Sequence, residues 1–291
     1  MKEASFFKRV RRIEIVAARL VDELLSGNYR STFRGQGIEF DEVREYVPGD
    51  DIRAIDWNVT SRLGAPYTKV FREERELTLF LLVDVSASLF TSSGEVRKSE
   101  FAALIAAILA LSAQVNNDQV GAVFFSDRVE RWRPPGKGRR HILGLINDLL
   151  RITPKGRGSD LEIALKIVYK NLKRRGICFI ISDFKTADYY EPLSLLARRH
   201  DCVAIKIADP VDREFPAAGL IRLEDPETGR TLVSEGASSR FRRAYADFWE
   251  EEHARWLEAC RQRGVETISL SSADDPGQEL YRFFQRRRRR R

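Results

Sequence analysis

Residues Leu77 to Val85 read LTLFLLVDV, and Ser86-Ala87-Ser88 follows directly. A nearly continuous apolar run of this length is typical of a strand that is buried on both faces of a sheet. Comparable runs follow at Gln119 to Phe125, Ile177 to Ser182 and Cys202 to Ala208, and helical patterns separate them. This alternation predicts a doubly wound α/β fold, in which helices cover both faces of a mostly parallel central sheet.

The remaining elements follow from periodicity and from turn residues. Helical spacing predicts helices at Glu95 to Val115, with Ser92 and Glu95 as a capping box, and at Arg139 to Arg151, Asp160 to Arg174, Glu191 to Arg199 and Ser238 to Arg263. Asp275-Pro276 opens a final helix. Pro66 to Arg72, Val129 to Arg133 and Val265 to Leu270 read as extended segments, and Leu220 to Ser234 reads as a hairpin around Asp225-Pro226-Glu227-Thr228-Gly229.

The sequence predicts three parts. Residues 1–76 form an extension, with an amphipathic N-terminal helix at Ser5 to Leu25 and an irregular, partly β-structured segment after it. Residues 77–285 form the α/β domain, with a β-hairpin insertion near 219–235. Residues 286–291 are a basic tail of six arginines, which supplies six of the seven net positive charges. The favoured interpretation of this tail is a solvated chain end.

Composition restricts the cellular setting. No run of 18 or more apolar residues occurs, so we expect no stable membrane insertion. The N-terminus mixes basic and acidic residues and does not read as a signal peptide. Cys178, Cys202 and Cys260 lie far apart, two of them in apolar runs, and we expect buried thiols of a reducing compartment. We therefore expect a cytoplasmic protein.

Oxygen-bearing side chains occur at the predicted carboxyl ends of two strands and in a loop before a helix. Asp84, Ser86 and Ser88 alternate along extended chain, so their side chains tend to point the same way. Ser159 lies in the glycine-rich loop Gly156 to Asp160, and Asp183 follows the run Ile177 to Ser182. Ligands of open α/β sheets bind at the carboxyl ends of strands, and carboxylate and hydroxyl oxygens suit Mg²⁺. We predict a metal site there.

These residues resemble the metal-ion-dependent adhesion site of von Willebrand A domains. That family uses an Asp-x-Ser-x-Ser loop, a threonine from a second loop and an aspartate from a third. Here Ser159 stands where the threonine usually does, and the missing methyl group leaves its rotamer less fixed. The resemblance implies a von Willebrand A-type fold, a bound Mg²⁺, Mn²⁺ or Ca²⁺, and an open coordination position that captures an acidic side chain of a partner protein.

A second resemblance concerns the segment before the domain. Phe33 to Phe40, Arg44 to Arg53, and Ile55-Asp56-Trp57 look like the signature of a bacterial family, domain of unknown function 58, and Tyr67, Lys69, Phe71, Glu74 and Arg75 continue it. Members of this family accompany MoxR-type AAA+ ATPases. The chain resembles the short, soluble branch, which lacks N-terminal membrane helices. The resemblance implies a chaperone-like module that helps to remodel or mature a client protein or to insert a cofactor into it.

Two interpretations of the signature segment remain open. A candidate interaction surface for the ATPase consists of Arg44, Tyr46, Asp50, Asp51, Arg53, Asp56 and Trp57. Clustered aromatic and arginine residues are typical of binding hot spots. The same charges could instead form an ion-pair and hydrogen-bond network that holds an irregular segment together, and this is the favoured interpretation. The two roles are compatible.

Several enzymatic motifs are missing from the sequence. There is no Gly-x-x-x-x-Gly-Lys-Ser/Thr loop for ATP hydrolysis and no Gly-x-Ser-x-Gly elbow. We predict a metal-dependent interaction protein that is not an enzyme. One alternative is a Mg²⁺-dependent phosphoesterase that uses the same cluster, although Ser86 stands where an Asp-x-Asp phosphotransferase needs a carboxylate. The other is nucleic-acid binding through Arg286 to Arg291, which we favour less.

Overall fold

A computed structural model of the chain describes residues 16–19, 39–72, 77–91, 93–94 and 96–290, and for 39–42 and 70–72 it describes the backbone alone. Residues 16–19 are helical, and the rest of the predicted N-terminal helix lies outside the described residues, as do Ser92 and Glu95 of the predicted capping box. The chain divides into two compact units, a smaller one within Arg34–Leu77 and a larger one that contains Thr78–Arg291.

The strands, in chain order, are β1 (Glu39–Glu45), β2 (Tyr67–Arg72), β3 (Thr78–Asp84), β4 (Gln119–Phe125), β5 (Val129–Gly136), β6 (Ile177–Ser182), β7 (Asp201–Ala208), β8 (Leu220–Glu224), β9 (Thr231–Glu235) and β10 (Glu266–Ser271). The helices are α1 (Trp57–Leu63), α2 (Lys98–Val115), α3 (Arg139–Arg151), α4 (Leu161–Asn171), α5 (Tyr190–Arg199), α6 (Pro210–Arg213), α7 (Ser239–Gln262) and α8 (Pro276–Arg289). Two 3₁₀ turns lie at Ile52–Ala54 and Ala87–Phe90.

The larger unit is built on a six-stranded sheet in the order β10-β7-β6-β3-β4-β5. All neighbouring strands are parallel except β5, which pairs antiparallel with β4 at one edge. The chain begins the sheet at β3, builds outward through β4 to β5, and then returns to the other side of β3 with β6. The doubly wound, mostly parallel sheet of von Willebrand A type is therefore confirmed. In such a sheet, a crevice opens at the carboxyl ends of the two strands where the winding direction reverses, here β3 and β6.

Helices cover both faces of this sheet. On one face α2 packs against α3 and α8, and on the other α4, α5 and α7 bury their apolar sides over β3, β6 and β7. Helix α2 is long and apolar enough to cross a membrane by length and composition, but 72% of it is buried inside the fold. Its apolar character is accounted for by its position against the sheet, because a helix covered on most sides needs few polar residues.

The C-terminal helix differs from the sequence-based interpretation. Residues 286–291 were expected to form a separate solvated tail, whereas Arg286–Arg289 form the last turn of α8. Arg287 is 5% exposed and makes ion pairs with Asp201 and, at 3.2 Å, with Glu266. It lies on the helical face that also carries Leu280, Phe283 and Phe284, so helix periodicity turns this one arginine inward.

The smaller unit consists of β1 and β2, paired antiparallel, with a 3₁₀ turn and α1 between them. Side-chain caps explain why this charged segment is ordered. Asp51 accepts a hydrogen bond from the backbone N–H of Arg53 at the 3₁₀ turn, and Asp56 accepts two from the first turn of α1. The predicted strand at Pro66 to Arg72 corresponds to β2, which begins one residue later.

Candidate functional site

Three loops meet at the crevice between β3 and β6. The first follows Asp84, the last residue of β3, and its side chains are almost completely buried, with Asp84 1% and Ser86 0% exposed. The backbone N–H of Ser86 donates to Oδ1 of Asp84 at 2.8 Å. The hydroxyls of Ser86 and Ser88 lie 3.1 Å apart. The alternation of Asp84, Ser86 and Ser88 thus brings their oxygens together, although the chain turns into a 3₁₀ turn after Ser86.

The second loop precedes α4 and brings Ser159 to the same carboxylate. The Ser159 hydroxyl donates to Oδ2 of Asp84 at 2.8 Å. A backbone hydrogen bond of 3.0 Å from Ala87 N–H to the carbonyl of Arg157 ties this loop to the first. Asp160 then caps α4, accepting from the N–H of Ile163. Ser159 is therefore held at the sheet edge by its neighbours on both sides.

Gly156 fixes the path of the second loop. A Cβ at this position would lie 2.1 Å from Oδ1 of Asp127 and 2.3 Å from Oγ of Ser126, so any larger residue would displace these two side chains. One carboxylate oxygen of Glu130 accepts from the N–H groups of Gly156 (2.8 Å) and Lys155 (2.9 Å) and from the Ser126 hydroxyl (2.7 Å). These hydrogen bonds hold the pKa of Glu130 below its usual value against the effect of burial.

The third loop follows β6 and adds a residue that the sequence interpretation missed. The Ser182 hydroxyl donates to Oδ2 of Asp84 at 2.7 Å, and it accepts from the N–H of Phe184 at 3.0 Å. Asp183 is 1% exposed. The chain reverses immediately after it, with Phe184 in the left-handed region at φ 55°. Thr186 ties the third loop to the second by donating to the carbonyl of Ser159 at 2.7 Å.

The electrostatics of the crevice are unbalanced around Asp84. Burial, and next the negative charge of Asp183, raise the pKa of Asp84 to about 6. Hydrogen bonds from the Ser86 N–H and from the Ser182 and Ser86 hydroxyls act in the opposite direction but do not compensate. The ionised form of Asp84 is therefore less favourable here than in water, and a positive charge at the site would stabilise it.

Asp183, in contrast, has a buried cation beside it. Lys98, the first residue of α2, is 2% exposed, and its ammonium lies 3.1 Å from Oδ2 of Asp183 and 3.9 Å from Oδ2 of Asp212. The other Asp183 oxygen accepts from the N–H of Lys185 at 3.3 Å. Lys185 in turn pairs with Asp212 at 2.6 Å. Both oxygens of Asp183 are therefore already engaged within the protein.

Glu227, from the turn between β8 and β9, also reaches the site. Its Oε2 lies 3.9 Å from the position of a Cβ on Gly158. Burial raises the pKa of Glu227, and the charges of Asp183 and then Asp84 raise it further, while a hydrogen bond from Ser88 lowers it. The hairpin was predicted from its turn residues, but the sequence does not indicate toward which part of the fold its turn points. Glu227 was therefore missed as a site residue.

The donor set fits a small divalent cation. Among the described residues no group of three or more His, Cys, Asp or Glu side chains is arranged as a metal site. Most of the oxygens gathered around Asp84 are serine hydroxyls. Asp84, Ser86, Ser88 and Ser159 could hold an ion directly, and Asp183, already bonded to Lys98, could act through water. The site contains three carboxylates, those of Asp84, Asp183 and Glu227, and the ammonium of Lys98 compensates one of their negative charges. One divalent ion would balance the two charges that remain.

The candidate interaction surface lies in the smaller unit, and its charges are largely tied locally. Arg44 pairs with Asp50 at 2.7 Å, and the other Asp50 oxygen accepts from the N–H of Val47. Lys69 lies 3.5 Å from Asp56. The apolar members point outward, since Trp57 is 67% and the neighbouring Ile52 65% exposed. Arg53 and Asp51 are also exposed and Tyr46 is half-buried.

Comparison with known proteins places the chain among bacterial relatives. The profile of the family described as "Protein of unknown function DUF58" matches residues 42–255. Uncharacterized proteins Mb1516 of Mycobacterium bovis and Rv1480 of Mycobacterium tuberculosis are each 31% identical over 286 residues, which cover 96% of this chain and 89% of theirs. No enzymatic activity is indicated by these names.

One solved structure supports the fold. An aerotolerance-related membrane protein from Bacteroides fragilis aligns with a TM-score of 0.50 at 13% identity, covering 74% of this chain and 100% of that one. At this identity the likeness concerns the fold alone.

Proposed function

The chain belongs to the DUF58 family, and we propose that it is a non-enzymatic interaction module that binds a divalent cation at the carboxyl edge of its sheet. The cation serves to hold a carboxylate of a partner protein. By resemblance, the partners are a MoxR-type AAA+ ATPase and a client protein that the pair remodels, matures or loads with a cofactor.

One observation carries this proposal. A single oxygen of Asp84 accepts hydrogen bonds from Ser159 and Ser182, which come from two other loops, at 2.8 and 2.7 Å. Oxygen donors from three separate segments thus converge on a buried carboxylate whose pKa is raised to about 6. A buried charge is retained at such a cost where a counter-ion or ligand offsets it.

Each side chain has a defined part in this scheme. A bound Mg²⁺, Mn²⁺ or Ca²⁺ would supply a Lewis-acidic centre that attracts an outside carboxylate. Asp84 provides the one directly bound charge, and Ser86, Ser88 and Ser159 provide neutral oxygens, so positive charge remains available to a partner. Lys98 neutralises Asp183 and keeps it from adding a second direct anionic ligand. The serine-rich donor set therefore favours binding an external acid.

The smaller unit offers the second contact. Trp57, Ile52 and Val47 are exposed by 67%, 65% and 54%. Exposed aromatic and aliphatic side chains on an ordered segment are typical of interface hot spots. The ion pair between Arg44 and Asp50 and the caps from Asp51 and Asp56 keep that segment in one conformation. We assign this surface to the ATPase as a second contact, which adds to the capture of an acidic side chain of the ATPase or of the client at the metal site.

Affinity capture tests the proposal. Wild type, Asp84→Ala and the control Asp247→Ala, an exposed carboxylate on α7, are used as baits with Mg²⁺ and with a chelator. We expect wild type and the control to retain a MoxR-type ATPase only when Mg²⁺ is present, and Asp84→Ala to lose it in both conditions. Equal capture by all three baits, with or without chelator, would refute metal-dependent binding. Turnover of phosphate esters that Asp84→Ala abolishes would instead indicate a phosphoesterase.

One observation keeps nucleic-acid binding as a second candidate. Arg282, Arg286, Arg288 and Arg289 form an exposed basic surface on α8 together with Tyr281 and Gln285. Such a cluster attracts phosphates in a strongly salt-dependent manner. A truncation after Gln285 would remove Arg287 and its ion pairs, so charge reversal of Arg286 and Arg289 to Glu is the better variant. Binding of an oligonucleotide that disappears in this variant and at raised salt would support this candidate.

A further inference from the structure

The turn of the β8–β9 hairpin has a defined shape that fixes Glu227. The N–H of Asp225 donates to the carbonyl of Arg230 at 2.8 Å, and the N–H of Gly229 donates to the carbonyl of Asp225 at 2.7 Å. The Asp225 carboxylate accepts from the N–H of Glu227 at 2.9 Å and from the Thr228 hydroxyl. Gly229 adopts φ 72°, which favours glycine. Glu227 therefore projects from a closed turn.

Glu227 points from this turn into the oxygen cluster. Its Oε1 is buried and has no hydrogen-bond partner among the described residues, and its Oε2 lies over Gly158, one residue before Ser159. Ser88 donates a hydrogen bond to the carboxylate, and Asp183 and Asp84 are its charged neighbours. A buried carboxylate oxygen that lacks a donor and faces two like charges is unfavourable. A cation between Glu227 and Asp84 would give the unpartnered oxygen a favourable contact and would offset the repulsion between the like charges.

We propose that Glu227 is an internal ligand that occupies the coordination position of the metal otherwise open to a partner's carboxylate. This inference rests on the proposed metal-dependent function. It adds that the resting protein is self-capped, and that an outside acid binds only after the tip of the hairpin moves away. The partner's side chain and Glu227 compete for this position with the same chemical group, a carboxylate.

The construction of the hairpin allows its tip to move. The two strands pair with each other and lie outside the six-stranded sheet. Their side chains are mostly exposed, with Leu220 80% and Leu232 61% exposed. The base is tied to α7, because the Arg242 guanidinium donates to the carbonyls of Gly236 at 2.6 Å and of Ala237 at 2.9 Å. Since a two-stranded hairpin with little buried surface is only marginally stable, its tip can separate from the site without unfolding the domain.

Metal titration provides the first test. Mn²⁺ binding is measured by calorimetry for wild type, Glu227→Gln, Asp84→Ala and the control Glu224→Gln, which removes an exposed charge from the same hairpin. We expect Glu227→Gln to weaken Mn²⁺ binding by about ten-fold or more and the control to leave it unchanged. If wild type itself binds no Mn²⁺, the proposed function fails. If wild type binds and Asp84→Ala does not, but Glu227→Gln equals wild type, only the internal ligand is refuted.

Hydrogen exchange and a carboxylate probe provide the second test. In wild type, adding Mn²⁺ is expected to slow exchange at the backbone amides of residues 225–230, and Glu227→Gln is expected to lose this protection. Acetate, added to the Mn²⁺-loaded proteins, is expected to displace coordinated water measurably in Glu227→Gln and far less in wild type, as monitored by water proton relaxation. Exchange at 225–230 that does not respond to Mn²⁺ in wild type, or equal acetate binding by both proteins, would overturn the proposal.

Discussion

The ammonium of Lys98 lies 3.1 Å from Oδ2 of Asp183, and the two side chains are 3% and 1% exposed. Lys98 begins α2 and Asp183 follows β6, so this pair joins the N-terminus of the buried helix to the third loop of the site. Because Asp183 already has a cation, the charge left to attract a metal ion belongs to Asp84 and to Glu227. Lys98 is thus the residue that makes the two aspartates differ, because it neutralises Asp183 and leaves Asp84 without a cation.

Replacing Lys98 by Met should therefore destabilise the protein strongly. The substitution keeps most of the side-chain volume but leaves Asp183 buried without its cation, and breaking one partner of a buried pair costs about 3–5 kcal/mol. Urea unfolding monitored by circular dichroism measures the change. The double variant Lys98→Met, Asp183→Asn should recover part of the loss, and Lys170→Met, an exposed lysine on α4, should have almost no effect. A single variant as stable as wild type would contradict the role given to this pair.

Replacing Asp84 by Asn should stabilise the metal-free protein. The pKa of Asp84 is about 6 in the folded state against an ordinary value of 3.8, so the folded state favours the protonated form. The resulting stability is present below about pH 4 and is lost as the pH rises through 6. Relative to wild type, the advantage of Asp84→Asn should increase by about 2 kcal/mol between pH 4 and pH 7.

Urea unfolding in the presence of a chelator measures this difference at the two pH values. Adding Mg²⁺ at pH 7 should raise the stability of wild type and leave Asp84→Asn unchanged, because a ligand that binds only the folded state stabilises it. If Asp84→Asn is less stable than wild type at pH 7 without metal, the prediction that this substitution stabilises the metal-free protein is wrong.

The sequence predicted the parts of this site that local patterns encode. The apolar run at β3 places Asp84 at a strand end, and the glycine-rich loop and the Ile177–Ser182 run place Ser159 and Asp183 at the same sheet edge. Lys98 was not predicted because its contact with Asp183 spans 85 residues and depends on where α2 begins; the sequence placed that start at Glu95, three residues before the observed one.

Two other misses have different causes. The turn chemistry of Asp225 and Gly229 predicts a hairpin but not its direction, so Glu227 could be located only from the tertiary fold. The inward orientation of Arg287 could have been found, because Leu280, Phe283, Phe284 and Arg287 share the spacing of one helical face. Composition hid this signal, since six consecutive arginines resemble a disordered tail.

Replacing Gly156 by Ala should distort the second loop. The added Cβ would overlap the side chains of Asp127 and Ser126. Moving them away would disturb the hydrogen bonds that Asp127 accepts from the N–H groups of Arg157 and Gly158, in the loop that leads to Ser159. Overpacking of this kind costs about 1–3 kcal/mol. Mn²⁺ binding should weaken at the same time, because the Ser159 hydroxyl leaves Asp84. Gly144→Ala is the matched control, since Gly144 lies within α3 with open space around its Cα, and it should stabilise the protein by about 0.5–1 kcal/mol. Opposite signs for the two substitutions in urea unfolding would support this account, and equal signs would contradict it.

Substitutions of the neighbouring residues Asp56 and Trp57 should have different effects in the smaller unit. The first should lower stability, and the second should weaken binding of the ATPase. Asp56 caps α1 through the N–H groups of Asn58 and Val59, and these hydrogen bonds, with Lys69, lower its pKa. Asp56→Ala should therefore lower the thermal unfolding midpoint. Trp57 is 67% exposed, so Trp57→Ala should change stability by less than about 0.5 kcal/mol. Removing a hot-spot aromatic costs about 2 kcal/mol of binding, which corresponds to roughly 30-fold weaker retention of the ATPase. Unchanged capture by Trp57→Ala would limit this segment to the structural role that its caps and ion pairs already explain.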